Sequence, residues 1–461
     1  MSNNKEIIVS DFYKNDVPNH ACYDNTRKIA SNIDGMKNSM RKIIYTLLKK
    51  YPNEFVKTEN LANITAAFTN YLHGANNLGG VLDTMSQAFV GSNNFPFTTG
   101  NSGGFGTRIN PIPAANRYTR VSLSKIMKVM LDQRDDEIIG KQYFEGEYIE
   151  PKFFMPIFPL IFLNGSLGGI STGFAQNIYP RNPFEIIEYI KKKLNGVENP
   201  KMKLLPWYRD FKGIIAYNSE TNTNEITGCI IRNNTTNYTI TEIPIGFGYQ
   251  KYIEFLDKLV ENGTIVDYED KCDPKTDNIL FEIKTTRAFT KNYEDINSLN
   301  KVFRLTSSLK ENLNCIDELG RIHEYSDIKE MLNSFIKIRL DFYNKRKDYL
   351  LDKIKYELTI LANKYIFCKG IIENKIIVSN KKKEEIIKQL ENNKIIKVDD
   401  SYDFLLRMPI SSITKEKINE LYSQILNKKE EFLKIKETDI KDMWINDLKE
   451  VEKVLKEYFK K

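Results

Sequence analysis

The sequence predicts an α+β protein of several domains, and three observations carry that reading. Residues 20 to about 150 mix short amphipathic helical segments with Asn- and Gly-rich loops. β-Branched alternation is concentrated between about 150 and 310, and from about 325 onward glycine and proline nearly vanish while a helical apolar spacing takes over. A chain of 461 residues has room for about two to four such domains, each with its own core.

In the first region "MRKIIYTLLKKY" places Ile43, Ile44, Leu47 and Leu48 on one helical stripe, with Arg41, Lys42, Lys49 and Lys50 beside it. "SLSKIMKVMLDQ" behaves similarly, with Ser122 or Ser124 as N-cap. In the second region "PIFPLIFLNG" is an apolar run bounded by proline and glycine, and it is read with the strands. "NEITGCIIRNNTTNYTITEIPIG" alternates as half-buried antiparallel strands require, and "NILFEIKTT" continues the pattern. In the third region Leu351, Ile354, Leu358, Leu361, Tyr365 and Cys368 fall at spacings of three and four, an a/d seam that needs a partner helix. "ITKEKINELYSQILNKKEEFLKIK" has a similar spacing and can return along it, giving an antiparallel pair with a small globular tip. A plain helical bundle is the other arrangement the spacing allows.

Composition narrows the function classes. With 41% apolar and 28% charged residues, the chain has the material for packed cores and is not a disordered chain. Cysteines at 22, 229, 272, 315 and 368 and histidines at 20, 73 and 323 are scattered, which argues against a zinc site or a disulfide framework and favours a reducing compartment. Neither a basic-flanked apolar leader nor a run of about 18 apolar residues is present, so secretion and membrane spanning are not expected. A net charge of +7 is only a weak pointer to nucleic acid.

The chemistry concentrates in "PIPAANRYTRVSLSK", where Tyr118 lies between Arg117 and Arg120 just after "GNSGGFGTR". The glycine run fits neither G-x-x-x-x-G-K-[ST] nor G-x-G-x-x-G opening a helix, so it is read as a tight loop and not a nucleotide cradle. A tyrosine phenol attacks phosphorus poorly unless its anion is favoured, and a neighbouring guanidinium both lowers that cost and pairs with phosphoryl oxygens. A Tyr–Arg pair that merely grips DNA backbone fits the same spacing. Arg27, Lys28, Lys37, Arg41, Lys42 and Arg108, with His73, are the candidate phosphate contacts, and Lys37 and Arg41 stand four apart on one helical face. The acidic stretches "DQRDDE" and "VDD" read as solvated charges, not metal sites.

Several segments, in order, resemble the type IIA DNA topoisomerases. "AANRYTR" is similar to the family's active-site Arg–Tyr segment, and "RKIASNIDGMKNSMRKIIYTLL" to its R-x-x-P-x-x-x-D-G-L-K-P-x-x-R-R helix. "YLHGANN" resembles the Y-H-H-G-E or H-P-H-G-D loop, "NNFPFTTGNSGGFGTR" the D-G-x-G-N-F-G segment, and "FLNGSLGGISTGFAQNIYPRNP" the L-x-N-G-x-x-G-I-A-x-G segment. The likeness runs from about residue 20 to 450. By length and the "NNFP" stretch it is nearest to the DNA-cleavage (medium) subunit of the T-even-type phage enzyme, with relatives in the A-subunits of DNA gyrase and topoisomerase IV and in the C-terminal half of the eukaryotic enzyme. Leu72, Ala75 and Asn38 depart from the family's histidine, acidic residue and proline.

The resemblance implies a winged-helix-type DNA-cleavage domain over 21–150 after an N-terminal arm over 1–20. A mixed α/β tower would follow over 151–325, then a long antiparallel coiled coil over 326–461 with a helical dimerisation gate whose tip lies near 365–410. It implies that Tyr118 forms a transient 5′-phosphotyrosyl bond with Arg117 stabilising the transition state. Arg27, Lys37, Arg41 and His73 would hold the phosphates, and Ile170 would wedge into a base step. The implied partners are double-stranded DNA, a second copy of the chain, and a large subunit carrying the ATPase and the Mg²⁺ site, in a heterotetramer. ATP and Mg²⁺ would be bound there, with no metal in this chain, and the work would be done in the cytoplasm (the host's, for a phage protein). Because the sequence ends at Lys461, the DNA-wrapping domain of gyrase is expected to be absent. A non-catalytic DNA-bending protein of the same fold is the alternative.

Overall fold

The computed structural model describes residues 9–409 and 413–459. Of the arm expected over 1–20, residues 1–8 lie outside the described residues, as does residue 410 at the end of the expected gate tip. The chain divides into two compact units, Met1–Arg339 with Asp447–Lys461, and Leu340–Asn446.

In the first unit, helix Asn38–Lys50 buries Ile43, Ile44 and Leu47 of the predicted stripe and leaves Leu48 half-buried, while Arg41, Lys42, Tyr45 and Thr46 are buried as well, so the helix is covered on more than one face. Helices Thr58–Phe68 and Ala75–Ser86 pack with it and beside a small sheet in the order Val56–Lys57, Arg120–Leu123, Thr98–Ser102. The middle strand buries Val121, Ser122 and Leu123 and fixes the residues just before it. Ser124, not Ser122, caps the following helix Lys125–Met130, accepting from the Met127 N–H at 3.3 Å. Helices around a small sheet with a loop between its outer strand and its middle one make the winged-helix arrangement that the resemblance implied.

The "PIFPLIFLNG" segment is not a strand. Residues 156–163 are buried, but the only regular element there is the short helix Ile161–Asn164, which ends at Gly165. Pro156 and Pro159 cannot supply ladder N–H groups, and a short apolar run has no period that separates a buried strand from a buried helix. Past it, a hairpin of Ser166–Ser171 and Phe174–Ile178 is followed by two antiparallel sheets. One runs Thr306–Leu309, Thr223–Thr227, Ile214–Asn218, and the other Cys229–Arg232, Asn237–Glu242, Phe281–Lys284, Asp267–Asp270. Helix Tyr249–Glu261 closes the second sheet through Tyr252 and Leu256, packed with Tyr238, Ile240, Phe281 and Ile283. The end of helix Ile440–Phe459 belongs to this unit, with Tyr458 against Phe95 (5.2 Å between rings) and Phe459 against Trp207 (5.8 Å).

The 45-residue helix Ile328–Ile372 starts in the first unit and runs on through the second, roughly 65 Å at the usual rise. Within the second unit it meets the returning chain in a fixed order. The Tyr343 ring stacks on Trp444 at 5.7 Å, Lys347 Nζ donates to the Thr438 carbonyl at 2.8 Å, Glu357 pairs with Lys428 at 2.8 Å, and the Tyr365 ring meets Tyr422 at 6.0 Å. One residue number rises as its partner's falls, so the two run antiparallel, which decides between the two arrangements the spacing allowed. Of the predicted seam, Ile354 and Cys368 are buried and Leu351, Leu358, Leu361 and Tyr365 half-buried. The tip has its own small core of Phe367, Ile376, Leu390, Ile395, Tyr402 and Leu405.

Phe281 is fully buried and its ring touches those of Tyr249, Tyr252 and Tyr268. Phe281→Ala is expected to cost about 3–5 kcal/mol, because truncation leaves a cavity the aromatic neighbours cannot fill. A lowered urea midpoint for the first unit checks this, and an unchanged midpoint contradicts it.

Candidate active site

Tyr118 ends a tight turn. Its N–H donates to the Ala115 carbonyl at 2.8 Å, and the chain enters the middle strand two residues later. Thr119 anchors the turn from below: it is fully buried, its hydroxyl donates to that of Thr58 at 2.6 Å, and its carbonyl accepts from the Thr58 N–H at 3.0 Å. The Tyr118 side chain is 65% exposed, and the Arg117 guanidinium carbon stands 5.1 Å from its ring centroid. An exposed phenol on an anchored backbone, with a cation over its ring, suits attack on an anion brought from solvent.

The glycine run serves this turn. Gly103 has φ +70°, and a Cβ there would fall 2.7 Å from Thr119 Cγ2 and 3.2 Å from the Tyr118 carbonyl oxygen. The loop packs against the backbone that presents the tyrosine, as a loop reading of "GNSGGFGTR" requires. Arg120 faces elsewhere, donating to the Phe55 carbonyl at 2.8 Å.

The remaining predicted residues separate into two groups. Arg27 and His73 line one cavity of about 360 Å³, together with Tyr23, Asn38, Lys42 and Tyr71. The Tyr23 hydroxyl is 2.6 Å from His73 Nε2, and burial, with the Arg27 charge second, holds the imidazole below its ordinary pKa. The His73 carbonyl accepts from the Asn77 amide at 2.6 Å, which ties the loop to the first turn of helix Ala75–Ser86. Lys37 sits half-buried just before helix Asn38–Lys50. Burial pulls its ammonium below the usual lysine value, and no carboxylate among the described residues pairs with it. A desolvated, unpaired ammonium is a strong recruiter of an anion.

Arg41 does not join them. It is 6% exposed, and its guanidinium is spent on Asp34 (Nε to Oδ2 2.7 Å, Nη2 to Oδ1 3.0 Å) and on the Met36 carbonyl at 3.1 Å. Lys42, expected beside the apolar stripe, is buried too, its Nζ on Glu150 at 2.8 Å and on the Thr69 carbonyl at 2.6 Å. Arg108 is held by Glu242 at 2.5 Å, and Lys28 by Asp24 at 2.8 Å. Arg41, Lys42 and Arg108 are matched inside the protein, while Lys28 keeps an exposed side chain in a surface pair, so the basic face expected there narrows to Arg27, Lys28 and Lys37.

Ile170 is 73% exposed on the hairpin Ser166–Ser171/Phe174–Ile178, opposite Ala175. The hairpin is rigidly seated. The Thr172 N–H and hydroxyl both donate to Asp24 Oδ2 at 3.0 Å, and buried Gln176 bonds both the N–H and the carbonyl of Ala30, at 2.9 and 3.2 Å. Asp24 and Tyr23 lie in the same helix as Arg27, Val17–Lys28, so one helix braces the hairpin, the histidine and a phosphate candidate. Sequence reading passed over both residues. Tyr23 stands four before Arg27, which was signal enough to place them on one face, whereas nothing local announces Asp24. Among the described residues no group of three or more His, Cys, Asp or Glu side chains converges to hold a metal ion, and no helix is long and apolar enough to cross a membrane.

Comparison with known proteins bears on the same elements. The family described as the DNA gyrase/topoisomerase IV A-subunit matches residues 27–449. The mitochondrial DNA topoisomerase 2 of Dictyostelium discoideum is 33% identical over 99% of this chain and 36% of its own length. The DNA topoisomerase 2 of Invertebrate iridescent virus 6 is 31% identical over 97% of this chain and 39% of its own. The solved DNA-binding, cleavage and re-ligation domain of Plasmodium falciparum topoisomerase II superposes with a TM-score of 0.86 at 32% identity, covering 98% of this chain and 64% of that one. The chain thus spans about a third of the length of the curated relatives it matches. With the winged-helix sheet, the braced hairpin and the antiparallel helix pair all in place, the chain belongs to the DNA gyrase/topoisomerase IV A-subunit family and is a relative of the type IIA topoisomerase cleavage domain.

Proposed function

We propose that this chain breaks and rejoins DNA as the cleavage component of an ATP-dependent type IIA topoisomerase, with Tyr118 as nucleophile. The observation that carries the reading is the Tyr118 phenol itself, exposed on a backbone anchored at Ala115 and Thr58, with Arg117 over the ring. Tyr118 Oη forms a bond to a backbone phosphorus, the P–O3′ bond breaks, and the freed 3′ oxygen takes up a proton as the phenol gives one up. The 5′-phosphotyrosyl ester retains the energy of the phosphodiester, so the reverse attack by the 3′ hydroxyl reseals the strand without fuel. Arg117 offers two N–H groups to the phosphoryl oxygens as negative charge gathers on them.

Arg27, His73 and Lys37 are proposed to grip the phosphates of the cleaved strand. Arg41 contributes at one remove, through Asp34, by fixing the loop that ends in Lys37. Ile170 enters a base step from the hairpin and bends the duplex, an exchange of stacking for wrapped contact. Two copies joined through the tip of the helix pair would set two tyrosines on opposite strands and open a double-strand gate, relaxing or decatenating DNA. Mg²⁺ and ATP are assigned to a large partner subunit in a heterotetramer working in the cytoplasm.

Tyr118→Phe is expected to abolish the covalent protein–DNA adduct formed with duplex DNA, Mg²⁺ and the ATP-hydrolysing partner, while duplex binding persists. Adduct formation by that variant at the parent rate would sink the assignment. Lys37→Ala should weaken binding to all sequences alike and reduce the slope of log K against log salt by about 1, as loss of one phosphate contact requires. Ile170→Ala should leave binding largely intact and reduce duplex bending, read as a longer end-to-end distance by fluorescence transfer on a short labelled duplex.

A further inference from the structure

Tyr118 and the His73 loop sit on different segments, yet one polar contact joins the pieces that carry them. Asn116, two residues before Tyr118, sets one atom of its side-chain amide 3.0 and 3.1 Å from the two carboxylate oxygens of Asp83, a place that only the amide nitrogen, as donor, satisfies. Asp83 belongs to helix Ala75–Ser86, whose first turn holds the His73 carbonyl through Asn77. Asp83 is nearly buried, and desolvation pushes its carboxyl up to about 6 with no cation contributing to the shift. A carboxylate held in that setting costs the fold stability at neutral pH.

The helix is also shaped for this contact. Gly79, one turn before Asp83, is buried, and a Cβ there would press on the Asn116 amide, with Asn116 Cγ at 3.4 Å. A glycine in the interior of a helix is unfavourable by itself. Two locally costly choices, a buried carboxylate and a mid-helix glycine, therefore converge on one asparagine. Asn116 is further engaged through its carbonyl, which accepts from the Glu59 N–H at 3.3 Å.

We infer that Asp83 is a positioning residue for Tyr118: with Gly79 making room, it latches Asn116 and so fixes the turn that aims the phenol relative to the helix bearing the His73 loop. This inference rests on the reading of Tyr118 as nucleophile for its catalytic consequence, though the latch itself does not. Displacing Asn116 lets the turn wander, and a nucleophile misplaced by a fraction of an ångström loses rate steeply while binding survives.

Three variants test it: Asp83→Ala, Asn116→Ala and Gly79→Ala, the last leaving both latch partners chemically intact. In Gly79→Ala the better helix propensity of alanine offsets part of the strain its Cβ puts on Asn116, so its melting point should fall less than that of Asp83→Ala. In all three, amide hydrogen exchange of residues 115–119 should quicken. The rate of covalent adduct formation in the complex with the partner subunit should fall by about tenfold or more with duplex affinity unchanged. The double variant Asp83→Ala/Asn116→Ala should be no slower than the worse single one, because both remove the same contact. Parent-like exchange over 115–119 in Asp83→Ala and Gly79→Ala overturns the latch, whatever the chemistry. Quickened exchange with an unchanged adduct rate overturns its positioning role. A parent chain that forms no adduct in that complex instead overturns the nucleophile assignment and, with it, the catalytic half of the inference, while exchange still decides the latch.

Discussion

The site depends first on the carboxylate of Asp34. It is fully buried and receives four donors: Arg41 Nε at 2.7 Å, Arg41 Nη2 at 3.0 Å, and the N–H groups of Met36 and Phe154, each at 3.0 Å. A buried ion pair of this kind is expensive to assemble and more expensive to break, since removing one partner strands the other charge and costs about 3–5 kcal/mol. Its value here is geometric. One side chain sets the turn before helix Asn38–Lys50, the start of that helix and the segment at Phe154 in a single arrangement. Lys37 takes its half-buried place as a result, and so does the floor of the cavity holding Arg27 and His73.

The candidate site is thereby divided into side chains left open and side chains that hold the frame. Arg27, Lys37, His73, Tyr118 and Ile170 present groups to solvent or to a cavity. Asp24, Asp34, Arg41, Lys42, Gln176 and Thr119 are consumed in contacts with one another or with backbone. Beside the paired Asp34, Arg41 and Lys42, Lys37 stands out, because no carboxylate among the described residues compensates its desolvation. Ile170 is the apolar counterpart, an isoleucine kept in water on a hairpin too well anchored to fold it away.

What could be read from the sequence follows the range of the forces involved. The stripe of Ile43, Ile44 and Leu47, the strands within 223–242 and the seam through Ile354 and Cys368 are set by local periodicity, and the structure keeps them. The ordered motifs identified the family, whose match over 27–449 nearly coincides with the span they were read across, and they single out Tyr118 as the candidate nucleophile. Periodicity failed at "PIFPLIFLNG", where burial on all sides erases the period. It also failed for Arg41 and Lys42, whose long stems let a cation on a helix face reach an inward carboxylate. Tyr23 with His73, and Asp83 with Asn116, lie 50 and 33 positions apart, respectively, and such pairs exist only once the chain has folded.

The pairing, in the second unit, of helix Ile328–Ile372 with helix Lys415–Glu437 and the start of helix Ile440–Phe459 carries a consequence for how such a chain can change length. Tyr343 with Trp444 and Tyr365 with Tyr422 are two points on one register, linked by Lys347 with Thr438 and Glu357 with Lys428. A residue inserted in one helix alone advances everything beyond it by about 1.5 Å and turns it by about 100°, taking apolar positions out of the seam. Matched additions of near-whole turns to both sides, about seven residues for two turns or about eleven for three, restore the contacts. The reach of the tip is therefore a stepped quantity, changing by near-whole turns, and distances between the values on that ladder are closed to it.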